Sequence, residues 1–251
     1  MSVRAQLGLL RRRLLSSVYS RRVSLGPMGP VVSFTFDDFP RTALTVGGHI
    51  LKSHGARGTY YAAVGLMNTS NDLGDQFRRE DLSVLMADGH ELASHTFSHI
   101  SCRSVSCDRF EREVEKGREA IEEITGKSDS GNFAFPFGEV TLDAKRALRA
   151  DVASCRGIWP GLNGPEVDLN LLRANSLYGG QGKYAQVQGL ISDNQQQRSW
   201  LIFYSHDVRD NPSRFGCTPE LLEFAVSFAS QRGARIMTVA EVVTELSSSS
   251  L

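Results

Sequence analysis

The sequence predicts an α/β fold on a parallel sheet, open or closed into a barrel. Three observations carry this. Strand-like and helix-like segments alternate along the chain, the rhythm of β-α-β units. The 251 residues suit one large domain, and α/β barrels commonly have this size. Aspartates and histidines gather at the ends of three strand-like runs, where parallel α/β folds build their ligand sites.

The elements follow in order. "VVSFTF" (31–36) reads as a strand and "RTALTVGGHILKSHG" (41–55) as a helix that stops at Gly55. "RGTYYAAV" (57–64) is a strand by its threonine and tyrosines. "EDLSVLMADG" (80–89) is a short helix ended by Gly89, and "ELASH" (91–95) is the next strand. Asp108 and Glu111 form a capping-box pattern for the following helix. Phe110, Val114, Gly117, Ile121 and Ile124 recur on one face of it, and Gly126 closes it. "NFAF" (132–135) is a strand, followed by a helix near 141–149 and by "VASC" (152–155). "LNLLRANSL" (169–177) is extended, residues 182–197 are helical, and "WLIFYSH" (200–206) is strongly β. Thr218 and Pro219 open a helix that runs to Gly233. "RIMTV" (235–239) is the last strand, and Thr238 with Glu241 caps a terminal helix.

Composition excludes some functions. Twenty-eight basic and 28 acidic residues cancel, which argues against a nucleic-acid binder, because nothing would neutralise many phosphates. No apolar run approaches the roughly 18 residues of a membrane-spanning helix. Cys102, Cys107, Cys155 and Cys217 form no CxxC pair and read as reduced thiols, with a Cys102–Cys107 bridge as the alternative. Residues 1–28 carry six arginines and no acid. They read as a loosely ordered basic extension, with contact to an anionic membrane surface or a transit role as the alternatives. Residues 29–251 then form the catalytic domain. No signal peptide is evident, so the cytoplasm is the expected location.

The chemistry collects at three places. "SFTFDDFP" (33–40) ends a strand on Asp37 and Asp38. "ELASHTFSH" (91–99) places His95 at a strand end and His99 four residues on, on one face if the chain turns helically. "LIFYSHD" (201–207) ends on His206 and Asp207. Two imidazoles and one carboxylate form a common divalent-metal set with open positions. Each feature alone has an ordinary explanation: a solvated turn, a chance histidine pair, a core histidine. Three together at three strand ends argue for one site. His49, His54 and His90 fall on helices or turns and receive no role. A His/Cys zinc knot of His99 with Cys102 and Cys107 fits no defensible spacing.

"TFDD", "SHTFSH", "FAFPFG" and "FYSH", in this order, resemble the motif series of polysaccharide deacetylases, the NodB-homology domain of carbohydrate esterase family four. The likeness spans roughly residues 30–245. It implies a distorted (β/α)7-type barrel and removal of N-acetyl groups from amino sugars of a polysaccharide, oligosaccharide or glycolipid. It implies Asp37 as general base, Asp38, His95 and His99 as metal ligands, the Phe137 N–H as oxyanion donor and His206 as general acid. The implied cofactor is a divalent cation, Zn2+ first and Co2+ next. Pro136 has no N–H, so the donor must come from its neighbour.

The sequence also departs from that pattern. Phe39 stands where the family has a glycine and is expected to line or narrow the mouth. Ala134 stands where the family has an arginine that orients the base; Arg156 and Arg173 are the candidates to replace it. Poly-N-acetylglucosamine deacetylases look similar in lacking that arginine. Asp168 is the candidate for the aspartate that tunes the acidic histidine. Trp159 is either a wall for the acetyl methyl or plain core. Competing readings are a metal hydrolase of a cyclic imide or ureide, a non-haem iron oxygenase, and a glycan-binding homologue without catalysis.

Overall fold

The computed structural model describes residues 14–126 and 130–248. Its centre is a curled parallel sheet. Strands β1 (Val31–Asp38), β2 (Thr59–Ala62), β3 (Glu91–Ser94), β4 (Asn132–Ala134), β5 (Ser154–Arg156), β6 (Asn175–Ser176) and β7 (Trp200–Ser205) run in the spatial order β6-β7-β1-β2-β3-β4-β5. A short β8 (Arg235–Ile236) pairs with the start of β1. Segment 169–176 brings the sheet back on itself. Leu172 bridges Arg156 of β5, and Asn175 pairs with Phe203 of β7. This is the distorted barrel that the motifs implied.

β1 is central because every one of its residues is buried. Such a strand must be covered on both faces, as parallel strands are. Outside it pack α1 (His49–Ser53), α2 (Arg79–Ala87), α3 (Cys107–Thr125), α4 (Leu142–Leu148), α5 (Tyr184–Gln197), α6 (Pro219–Gln231) and α7 (Val239–Ser248). Among these described helices none is long and apolar enough to cross a membrane.

Most local signals hold. Thr218 accepts from the Leu221 N–H ahead of Pro219. The Thr238 and Glu241 box is formed in both directions, at 2.8 and 3.2 Å. Gly126 ends α3 in the left-handed region at φ 66°. At the start of α3 the capping residue is Ser106, whose hydroxyl accepts from Arg109 N, and not Asp108. Residues 43–48, expected as α-helix, are wound as a π-helical turn before α1. All four cysteines are free thiols.

The basic extension is shorter than expected. Arg22–Ser24 pair antiparallel with Glu166–Asp168. Leu15 is buried, and its carbonyl accepts from Lys145 Nζ at 2.7 Å. Residues 14–28 are thus packed on the barrel, while 1–13 lie outside the described residues.

Phe39 does not line the mouth. It is fully buried, stacked on Phe77 at 4.8 Å and tilted against Tyr60 at 4.9 Å. Its φ is 69°, a conformation that strains any residue with a Cβ. Aromatic packing therefore holds a backbone shape that glycine would adopt freely. Phe39→Ala is expected to lower stability by about 3–5 kcal/mol through the lost ring. Phe39→Gly should lose about 1 kcal/mol less, reversing the usual Ala-over-Gly order. Urea unfolding of both variants checks this; a glycine variant less stable than the alanine one contradicts it.

Candidate active site

The carboxyl ends of all seven strands β1–β7, with the loops that follow them, enclose a cleft of about 890 Å³. Asp37, Asp38, His95, His99, Phe137 and His206 all line it. In a regular strand Asp37 and Asp38 would face opposite sides. The left-handed backbone at Asp38 (φ 63°) and Phe39 (φ 69°) breaks the alternation, so both carboxylates reach the same cleft.

His95 follows β3 and is almost fully buried. Its Nδ1 lies 2.8 Å from the Ala134 carbonyl, which can only accept, so Nδ1 carries the proton. Nε2 is left with a lone pair, 3.6 Å from Asp38 Oδ1. Burial pushes the His95 imidazolium down to about 4, which keeps the ring neutral and ligand-competent at pH 7. His99 Nε2 lies 3.0 Å from the same oxygen. The segment between the histidines is not helical as supposed. Thr96 and His99 take left-handed φ values of 61° and 53°, and the Thr96 hydroxyl accepts from Ile100 N at 3.1 Å. Helix α3 braces this loop: Phe97 N donates to the Glu113 carbonyl at 2.9 Å. A Cβ at Gly117 would stand 2.9 Å from Ser94 Oγ, so only glycine lets the helix come so close.

The ligand-type atoms of Asp38, His95 and His99 all lie within 4.8 Å of one another. Asp38 Oδ1 is buried and has no hydrogen bond of acceptable geometry. Burial alone would raise the Asp38 carboxyl. His99, His95 and His206 outweigh it and hold the group at about 2. A buried, ionised oxygen without a hydrogen bond, facing two imidazole nitrogens, fits a divalent cation in its donor set and charge.

Asp37 sits beside this group with a different partner. Arg156 Nη2 donates to its Oδ1. Arg173 lies elsewhere, its Nη1 on the Pro160 carbonyl at 3.1 Å. Arg156 is fully buried, so it cannot bind substrate directly. Phe137 stands at φ 58° with its ring exposed, 4.5 Å from the His99 ring. The hydrogen bonds of its turn run from Gly138 and Glu139, which leaves the Phe137 N–H outside them. Pro136 is buried beneath and contributes no wall. Glu139 ties this loop to the His99 loop by accepting from Ser101 Oγ and from Arg103 Nη1.

His206 follows β7, and its Nδ1 lies 3.2 Å from the Phe215 carbonyl. Nδ1 therefore donates, and Nε2 is the free nitrogen. Asp168 does not tune it. That carboxylate accepts from Lys145 Nζ, Arg21 N and Asn170 N, within the contacts that seat residues 14–28. Asp207, next in sequence, turns away and accepts from Ser213 N and Oγ. Trp159 packs on the cluster of Phe110, Phe133 and Phe135 and is core, not a wall of the cleft. Sequence reasoning missed Tyr178, Tyr204, Ile158 and Phe215, which do line it. Tyr204 had a signal, since it precedes His206 by two and shares its face of the strand. Phe215 had none, because an irregular loop brings it back.

The fold and cleft define a barrel hydrolase with a candidate Asp-His-His metal site. Residues 26–152 match the sequence profile described as Polysaccharide deacetylase, and the chain belongs to that family. A search of curated proteins found no match. Several solved structures share the fold. A family 4 acetyl xylan esterase from Clostridium thermocellum, in complex with a cobalt ion, is 18% identical, with 86% of this chain and 91% of that one covered at a TM-score of 0.57. The chitin deacetylase of the fungal pathogen Colletotrichum lindemuthianum is 17% identical over 86% and 88% of the chains, at 0.57. The peptidoglycan deacetylase PdaC from Bacillus subtilis is 16% identical over 89% and 94%, at 0.54.

Two buried histidines make stability depend on pH. Burial pushes both His90 and His95 down to about 4, against an ordinary value of about 6.5. Between those limits the unfolded chain binds protons that the folded chain does not, so stability falls as pH drops from about 6.5 to about 4. Asp38, held at about 2, adds a further loss only below about 4. Urea midpoints of the metal-free protein should therefore decline across that window. His90→Asn, which keeps an acceptor for Gly58 N, should shallow the decline by about half. A flat profile between pH 7 and 4.5 contradicts the assignment.

Proposed function

We propose that this protein is a metal-dependent N-deacetylase acting on N-acetylated amino sugars of a glycan. The observation that carries the reading is the convergence of Asp38, His95 and His99 within 4.8 Å, in a cleft that Asp37, His206 and Phe137 also line. Asp38, His95 and His99 would hold the cation, zinc or cobalt by the softness of a mixed N/O donor set. When bound, the cation supplies an acidified water and polarises the amide carbonyl.

The chain's own residues do the rest. Asp37 is already engaged by Arg156 and is not a member of the ligand cluster, so its carboxylate is free to take the water's proton. The Phe137 N–H donates to the oxygen that gains charge as the carbonyl carbon becomes tetrahedral. His206 delivers a proton from Nε2 to the departing nitrogen, with the Phe215 carbonyl holding the ring from the other side. The C–N bond breaks, the water oxygen stays with the acetyl carbon, and acetate and the sugar amine leave. The exposed Phe137 ring and the Tyr178 and Phe215 rings offer apolar faces on which pyranose C–H groups can rest. The cyclic-imide, iron-oxygenase and binding-only readings gain no specific support from the cleft.

Acetate release from chitooligosaccharides by the zinc- or cobalt-loaded protein tests this. Asp37→Asn should lower kcat by about 10²–10⁴-fold and leave metal affinity unchanged, whereas Asp38→Ala should abolish metal binding. The reading fails if no N-acetylated sugar yields acetate or if Asp38→Ala binds metal like the parent. Phe137→Ala should keep kcat within about tenfold, because the main-chain donor survives the substitution.

A further inference from the structure

We propose that Arg156 is the positioning residue for Asp37, and that it acts from β5 in the place where the adjacent strand β4 carries only Ala134. The inference rests on Asp37 being the general base. Ala134 and Arg156 are register partners on neighbouring strands. A side chain lost from one can be supplied by the other with little change in direction. Arg156 is 119 residues from Asp37 in sequence, yet its Nη2 meets Asp37 Oδ1 at the top of the barrel.

The guanidinium is held through both terminal nitrogens, while its buried Nε has no hydrogen-bond partner among the described residues. Nη1 donates to the Gly157 carbonyl at 3.0 Å. The central carbon lies 4.9 Å from the Tyr61 ring centroid and 5.3 Å from that of Tyr204, both within cation–π range. Tyr61, Ala93 and Ala134 form a small cluster inside the sheet, and the two alanines leave the width that the arginine occupies. Burial opposes its charge, and Asp37, Tyr61 and Tyr204 more than offset that. A cation so held fixes one oxygen of Asp37. No hydrogen bond to the other oxygen occurs among the described residues. Arg156 thus sets the rotation of the carboxylate without touching substrate.

The test compares Arg156→Met, Arg156→Lys, Asp37→Asn and the double variant Ala134→Arg/Arg156→Ala in the zinc-loaded full chain. Acetate release is measured alongside zinc affinity by calorimetry and urea unfolding. Arg156→Met should lose about 10²-fold in kcat, with KM within about threefold and zinc affinity unchanged. Arg156→Lys should stay as impaired, since an ammonium cannot reproduce a stacked, planar fork. The double variant should recover at least about tenfold over Arg156→Met, because the arginine returns from the neighbouring strand. In urea the midpoint shift of a combined Asp37→Asn/Arg156→Met variant should be smaller than the sum of the two single shifts. If Arg156→Met keeps kcat within about threefold of the parent while Asp37→Asn is inactive, the positioning role is overturned and the deacetylase reading stands. If Asp37→Asn stays active, the base assignment and with it the positioning role are overturned, while the acetate released still supports the deacetylase reading. Should Arg156→Met fail to fold, a double variant that folds but is no more active than Arg156→Lys overturns the role as well.

Discussion

Two neighbouring carboxylates face one cleft only because the chain turns left-handed at the end of β1. That turn is the constraint on which the rest of the site depends. It lies in a region that costs roughly 1–2 kcal/mol per residue with a Cβ, and it occurs at two residues in succession, Asp38 and Phe39. Of the eight non-glycine residues with positive φ among the described ones, five lie here: Asp38, Phe39, Thr96, His99 and Phe137. Strain of this kind persists only where surrounding packing over-determines it. The stacked rings of Phe39, Phe77 and Tyr60 do this for the first loop. Helix α3 and the Glu139 contacts do it for the second and third.

Once both carboxylates are in the cleft, their partners separate them. Asp38 meets two imidazoles, one of them neutral by burial. Asp37 meets a permanently charged guanidinium. Two like charges side by side would otherwise raise each other's proton affinity. With different partners, the two carboxylates are available for different tasks. Asp38 belongs to the candidate metal-holding cluster. The other is an acceptor with one oxygen anchored. Such divergent environments for paired acids are how one cleft assigns a ligand and a base.

Much of this was legible in the residues. The alternation of elements, the terminal caps, the strand ends and the lining side chains at 37, 38, 95, 99 and 206 could be read because they depend on local pattern or on the carboxyl-end rule for parallel sheets; Phe137 came only from the resemblance of "FAFPFG" to the family's motif. What could not be read depends on the return path of irregular chain. Phe215 reaches His206 through a loop organised by Asp207 and Ser213, and no periodicity encodes that. The helical turn supposed between His95 and His99 failed because spacing alone does not distinguish one turn of helix from a bend with two left-handed residues. Phe39 stands in the place of the family's glycine beside the site and so reads as a mouth residue, whereas burial of a large ring against two others outweighs that placement. Asp168 was taken for a tuning acid, but a buried Lys145 needs a carboxylate and claims it.

Each departure from the family's motif series has a structural partner nearby in this chain. Phenylalanine in place of glycine at 39 comes with two aromatic neighbours that hold the backbone. Alanine in place of arginine at 134 comes with an arginine one strand over, in register. Among the described residues no carboxylate bonds His206; the carbonyl of Phe215 engages Nδ1 instead. A dipole orients a ring as a carboxylate does but adds no full negative charge, so the histidine keeps its direction and gives up the electrostatic support that an aspartate would add.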